Sequence, residues 1–252
     1  MKYSLTIFKN TYDNQTHRGM NFDTWDKFVA LLHELYTQKG EKGGRHSSPL
    51  ISPARYDVDT TRSNKNVSEW SGWACLDVDD YVVHSDSVRS PIECLTIQLE
   101  QMFGRFEYVC YNTASSKAEK PKFRLVFPLT RKVSRKELPH FWFAMNKQFD
   151  GLGDAQTKDL SRMYYIPAQY PDAYSFFFRN DGVELDPDML MNKYSFVEQQ
   201  GNTFMDRLPP ELQAAVMAHR KNSLDNTDIN WYENRPLNKE ADRALEYIYR
   251  NG

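Results

Sequence analysis

Asp77 and Asp79 stand two residues apart at the end of the run WACLDVDD (73–80). In a β-strand, residues two apart point to the same face, so Trp73, Cys75, Asp77 and Asp79 share one side, and Ala74, Leu76 and Val78 the other. The length and residue types of the run suit a buried strand ending in acid. At a rise of roughly 3.3 Å per residue the two carboxylates begin about 7 Å apart at the backbone, close enough for their side chains to converge on one or two ions. Hard oxygen ligands on a short strand suit Mg2+ or Mn2+. Two such ions about 4 Å apart can activate an attacking hydroxyl and stabilise a leaving pyrophosphate, which is the layout nucleotidyl transfer needs. A D-x-D pair alone is a weak signal, because acids at strand ends are commonly solvated loop residues.

The surroundings add to the signal. YNTASSKAEKPKFRLVFPL (111–129) sets a polar turn with Thr113, Ser115, Ser116 and Lys117 beside a strand bearing Arg124, supplying hydroxyls and cations of the kind a triphosphate requires. Lys117 as a solvated turn lysine and Arg124 as the partner of a surface acid are the ordinary alternatives. Further on, GDAQTKDLSRMYYIP (153–167) offers Asp154 and Asp159, followed by Arg162. Either acid could complete a metal site, or Asp159 could cap a turn while Asp154 is solvated. RSNKN (62–66) places Arg62 and Lys65 just before the acidic strand, where they could touch nucleotide or template or remain a solvated basic loop. Trp70, Trp73 and Tyr111 could stack on bases, although aromatic residues at strand positions are more often core.

The elements that must position these groups follow from periodicity and capping signals. KYSLTIF (2–8) reads as a strand, and residues 23–40 as an amphipathic helix with Trp25, Phe28, Val29, Leu32, Leu35 and Tyr36 on one stripe. Residues 40–72 are rich in Gly, Ser, Pro, Asn and basic residues and read mostly as loop, with room for a short strand. Ser90-Pro91-Ile92-Glu93 opens a helix with Ser as N-cap, Pro at the first position and Glu three residues on; Ile92, Leu95, Leu99 and Met102 supply its buried face. FEYVCYNT (106–113) and KFRLVFPL (122–129) read as a hairpin. Ser134 to Glu137 resembles a second capping box, leading into a helix with Leu138, Phe141, Trp142, Met145 and Phe149 inward. RMYYIPA (162–168) and AYSFFFR (173–179) read as strands, and 209–221 and 238–250 as helices.

Composition narrows the class. With 252 residues the chain holds one large domain or a domain plus an appendage. The division expected is 1–190 for the domain with the acids and 191–252 for a helical appendage or the start of a helical domain. A net charge of −2 excludes a coat of basic surface but not an enzyme, since local acid for metal and local base for phosphate cancel in the sum. Three separated cysteines suggest neither a zinc site nor a disulfide framework and fit a reducing bacterial or host-cell cytosol. The sequence holds no secretory signal and no apolar run of membrane-spanning length. The six histidines show no HxH or HExxH spacing, which argues against a relaxase or zinc hydrolase. The helical pattern continues to the C-terminus without a cap, as expected of a fragment of a longer protein.

The order of an acidic pair, a Thr/Ser turn with a basic residue before an FRLVFPL strand, and an acid followed by D-x-S-R-x-x-Y-x-P resembles the archaeo-eukaryotic primase superfamily, in particular the primase-polymerases of phages and plasmids. The resemblance covers roughly residues 60–180. Asp77 and Asp79 match the family's acidic first motif. Ser115-Ser116-Lys117 matches its S-x-H second motif except for lysine in place of histidine. Asp154, preceded by Gly153 rather than a hydrophobic residue, is the preferred third acid, with Asp159 as the alternative. The resemblance implies an α+β fold, an RRM-like primase-polymerase catalytic sheet with an N-terminal αβ unit. It implies template-directed nucleotidyl transfer by two Mg2+ or Mn2+ ions held by Asp77, Asp79 and Asp154. Ser115, Lys117, Arg124, Arg162 and Arg62 would bind nucleotide. The implied partners are single-stranded DNA template, primer and (deoxy)nucleoside triphosphates, with a helicase domain or protein as a further partner. A metal-dependent nuclease and a replication-initiation DNA-binding module without catalysis are the competing readings.

Overall fold

The computed structural model describes residues 2–43, 46–84, 87–154 and 159–196, all within one compact unit spanning 1–198. Its centre is a four-stranded sheet made of β6 (Trp73–Val78), β7 (Tyr108–Asn112), β8 (Phe123–Pro128) and β11 (Phe177–Asn180), in the order β11-β7-β8-β6. Both β6 and β7 run antiparallel to β8, so they are parallel to each other and need a crossover. Helix α2 (Pro91–Phe103) supplies it, and helix α3 (Leu138–Gln148) connects β8 towards β11. The succession β6-α2-β7-β8-α3-β11 is the β-α-β-β-α-β order of a split βαβ unit, here with the last strand, β11, beside β7 and with β6 at the free edge, and the α+β expectation holds.

Each face of this sheet covers a different core. Ala74, Leu76 and Val78 pack with Leu95, Leu99 and Phe103 of α2 and with Phe141 and Met145 of α3. Trp73 and Cys75 point the other way, towards helix α1 (Trp25–Tyr36), where the Trp73 and Phe28 rings lie 5.3 Å apart. Every residue of β6 is therefore buried. Burial of both faces favours a nearly unbroken apolar run over strict alternation, and it leaves the acids at the end of the strand as the exception.

A second sheet, β10-β3-β1-β2, is built from β1 (Tyr3–Phe8), β2 (Gly19–Phe22), β3 (Leu50–Ser52) and β10 (Tyr164–Tyr165). A third, small sheet joins β4 (Ala54–Tyr56), β5 (Val67–Trp70) and β9 (Val133–Ser134). The stretch 40–72 thus holds three short strands and a 3-10 turn at Asn64–Asn66, more structure than its polar composition announces.

Local chemistry explains the element ends. Ser90 caps α2 through a full capping box: its hydroxyl accepts the Glu93 N–H, and the Glu93 carboxylate accepts the Ser90 N–H at 2.8 Å. Met102, assigned to the inner face of this helix, is 45% exposed, and Phe103 fills the core position instead. The second capping box opens a turn rather than the helix itself. Ser134 ends β9, and its N–H and hydroxyl both bind the Glu137 carboxylate, while α3 starts only at Leu138. The inward residues expected for α3 are all buried.

Glu137 also accepts Arg131, which in turn pairs with Asp188 at the start of helix α4 (Pro187–Lys193). Hydrogen bonds from Arg131, opposed in part by burial and assisted by Ser134, hold the Glu137 carboxyl near 2, well below its ordinary 4.5. A depressed folded-state pKa contributes stability that is present above the unfolded value and is lost as pH falls through the folded one. Melting temperature should therefore decline between about pH 4.5 and about pH 2, and Glu137→Gln should flatten that part of the profile.

At the turn into β6, Gly72 has φ of 79°, and a Cβ there would come within 2.3 Å of the Lys2 carbonyl oxygen. Gly72→Ala should cost about 1–3 kcal/mol from backbone conformation alone, with the close approach adding to it, as read by urea denaturation.

Helix α4 runs across the boundary expected at residue 190, and the helices expected over 209–221 and 238–250 lie outside the described residues. No helix among the described residues is long and apolar enough to cross a membrane. The three cysteines are free and buried, and burial pushes the Cys75 and Cys110 thiols well above their ordinary range.

Candidate active site

Strand register builds the floor of the site. Asp77 lies directly across from Arg124, Arg124 from Tyr111, and Tyr111 from Phe177, so one row of side chains crosses all four strands of the central sheet. The row sits on the face turned towards α1 and the N-terminal sheet. Asp77 and Arg124 are only 6% and 8% exposed, and they form an ion pair, Nε to Oδ1 at 3.2 Å and Nη2 to Oδ2 at 3.4 Å. A second guanidinium, from Arg162, lies 3.8 Å from Asp77 Oδ2.

Arg124 lies against two aromatic rings. Its guanidinium carbon lies 5.6 Å from the Tyr164 ring centre and 6.0 Å from that of Tyr111, and its Nη1 donates to the Tyr165 carbonyl oxygen at 3.3 Å. Burial works against its charge, while Asp77 opposite, joined by Tyr111, Cys75 and Tyr170, works for it, and the pKa stands above the ordinary arginine value. Burial also pushes the Tyr111 and Tyr164 phenols up, so both rings remain neutral walls.

Over this floor opens a cleft of about 360 Å3, lined by Asp77, Asp79, Arg124, Arg162, Arg62, Asp159, Thr113 and Ser115, with Lys42, Leu50, Thr11 and Tyr165 on the side of the N-terminal sheet. Of the sequence candidates, Asp77, Asp79, Ser115, Arg124, Arg162 and Arg62 thus meet in one place, together with Asp159, the alternative third acid. Asp159 also serves its turn, accepting the Ser161 N–H at 3.3 Å.

Two expectations fall elsewhere. Lys117 is exposed and does not line the cleft, because its ammonium donates to the Asp172 carbonyl oxygen at 2.7 Å. Asp154 does not line it either. Its N–H donates to the Asp77 carbonyl oxygen at 3.0 Å, along the free edge of β6. This close approach suits Gly153: a Cβ there would lie 2.8 Å from Leu76 Cδ2 and from Asn146 Oδ1, so a larger residue would have to displace those side-chain ends.

Trp70, Trp73 and Tyr111 are core residues with no face open to a base. The Trp70 and Trp73 indole N–H groups are spent on the Leu160 and Ser4 carbonyls. Sequence reading missed Lys122, whose ammonium sits 3.3 Å from Asp79, and Lys42. Period-2 alternation with Arg124 was a usable signal for Lys122; Lys42, in a Gly-rich loop, has none.

The donor set suits a hard divalent ion in one specific respect. Asp77 Oδ1 is buried and accepts no hydrogen bond, since the Arg124 Nε beside it is poorly aligned, and the Asp79 carboxylate on the same strand end is 40% exposed. Among the described residues no three acids, histidines or cysteines group closely enough to hold a metal unaided. Substrate phosphates and waters would have to complete the coordination, as is usual for magnesium.

No curated protein matches the chain in sequence. Among solved structures, the AEP domain of the primase-polymerase of cyanophage S-2L is similar with a TM-score of 0.41 and 10% identity, over 76% of this chain and 88% of that one. The family described as the VapE N-terminal domain matches residues 62–202. That segment is more than half of the sequence and carries the central sheet from β6 to β11, and the chain accordingly belongs to the VapE N-terminal domain family.

Proposed function

We propose that residues 1–190 are the catalytic domain of a DNA primase-polymerase that joins nucleotides on a single-stranded template. The observation that carries the reading is the cross-strand pair Asp77–Arg124 at the floor of a cleft whose walls add Asp79 and Asp159 to Arg62, Arg162 and Lys42. Acid for cations and base for phosphates are thereby interleaved within one nucleotide-sized space.

In this reading Asp77 and Asp79 would hold Mg2+ or Mn2+, with substrate phosphates and waters completing the coordination, and Asp159, rather than Asp154, is the further acid facing the same cleft. When bound, the two ions supply Lewis acidity to the primer 3′-hydroxyl and the leaving pyrophosphate. The chain's own residues do the rest. Arg162, Arg62 and Lys42 bind the triphosphate, with Lys42 as the cation in place of Lys117. Ser115 and Thr113 donate hydroxyl hydrogen bonds to phosphate oxygens. Arg124 sets the rotamer of Asp77 and faces the charge that develops on the α-phosphate.

The test is nucleotide incorporation on a single-stranded template, with and without primer, in each metal. We expect extension and pyrophosphate release only when nucleotides are supplied, and none from Asp79→Ala. Degradation of the DNA without nucleotides would instead identify a nuclease. Salt-sensitive DNA binding without turnover in either metal would identify a binding module.

A further inference from the structure

Aromatic side chains in the described part of the chain are buried or half-buried with one exception: Tyr12 is 75% exposed. It sits at the tip of the β1–β2 connection, next to Thr11, which lines the cleft.

The tip is a rigid mount. The Asp13 carboxylate accepts the N–H groups of Lys9 and Gln15, at 2.8 and 3.0 Å, and pairs with Arg18. The Tyr12 N–H donates to Asn10 Oδ1 at 3.0 Å. The loop is also joined to the segment that carries Arg62. The Arg62 N–H donates to the Asn14 carbonyl oxygen at 3.0 Å, Gln15 bridges Thr61, and the Thr16 hydroxyl donates to the Thr60 carbonyl oxygen. Thr11 and Arg62, one from each of the joined loops, both reach the cleft.

An ordered backbone that holds a large aromatic ring in water forgoes the gain of burying it, a gain the other aromatic residues of the described chain take at least in part. A phenol ring one residue from the cleft-lining Thr11, on a loop bonded to the segment that carries Arg62, has the two elements used to grip single-stranded nucleic acid: a π-face for a base and a cation for its phosphate. We propose that Tyr12 is a stacking platform for a base of single-stranded DNA, on which the template strand rests as it enters the cleft. This rests on the polymerase reading of the site and names where its template lies. Stacking takes any base, so the contact tracks the strand without reading its sequence.

The experiment is fluorescence anisotropy of the full chain with a labelled single-stranded oligonucleotide, without nucleotide or metal. Tyr12→Ala should weaken binding about 5- to 100-fold, the range of base–aromatic stacking. Tyr12→Phe should stay within about twofold of the parent, since a phenyl ring stacks as a phenol does. An oligonucleotide of abasic sites should bind the parent and Tyr12→Ala alike, which separates lost stacking from a disturbed loop. Equal affinity of parent and Tyr12→Ala for the ordinary oligonucleotide would overturn the platform and leave the polymerase reading standing. Failure of the parent to bind single-stranded DNA at all would overturn both.

Discussion

Asp77→Asn should lower nucleotide incorporation by roughly 1,000-fold or more, the scale on which loss of a group acting directly at the reacting centre is felt. Asparagine keeps the shape of the side chain and a carbonyl oxygen for Arg124, but it removes the negative charge on which cation binding depends. Oδ1 of Asp77 is buried without a hydrogen bond, and it is the acceptor this change neutralises. Affinity for single-stranded DNA should remain near that of the parent, because Asp77 lies at the floor of the cleft under two guanidiniums. A single-turnover incorporation assay reads the first quantity and anisotropy the second. An Asp77→Asn protein that extends primers at the parental rate would remove Asp77 from the mechanism.

The second large effect concerns stability. Arg124→Ala should destabilise the fold by about 3–5 kcal/mol, because it leaves the buried Asp77 charge without its main partner. Arg162, at 3.8 Å and one-third exposed, cannot replace a buried guanidinium that packs against two tyrosine rings. The size of the loss reflects the orphaned charge more than the worth of the pair, and a second variant separates the two. Asp77→Leu combined with Arg124→Met should recover most of the stability, since a buried ion pair can be exchanged for apolar residues of similar volume at little cost. Urea denaturation of the two variants makes the comparison. A double variant no more stable than Arg124→Ala would place the loss in packing instead.

The parts of this fold legible in the sequence were those whose signals are local. The Ser90 box, the hairpin of β7 and β8, and the inner face of α3 each depend on residues within a few positions of one another. Strands β2, β4 and β5 were not legible. Each is three or four residues long, and each exists because of pairing with a partner that alternation cannot name. The Ser134 box was misread for a similar reason: β5 claims Ser134 as a strand partner, so the same side-chain bonds close a turn ahead of the helix.

The site divided along the same line. Asp77 and Arg124 follow from alternation on two recognisable strands. The place of Asp154 beside β6 depends on a backbone hydrogen bond from its N–H to the Asp77 carbonyl oxygen, and the departure of Lys117 from the cleft on a carbonyl 55 residues away. Neither of those distances is encoded by spacing.

Strand β10 has a consequence for the architecture as a whole. Tyr164 and Tyr165 come from late in the chain, yet they pair with Ile51 and Leu50 in the sheet begun by β1. The polypeptide therefore stitches early and late parts of the chain together in one sheet. A chain started at residue 62, where the family match begins, would lack the strand that receives β10 and the helix that covers Trp73 and Cys75. In this chain the first 61 residues thus complete the core of the matched segment as much as they form a wall of the cleft.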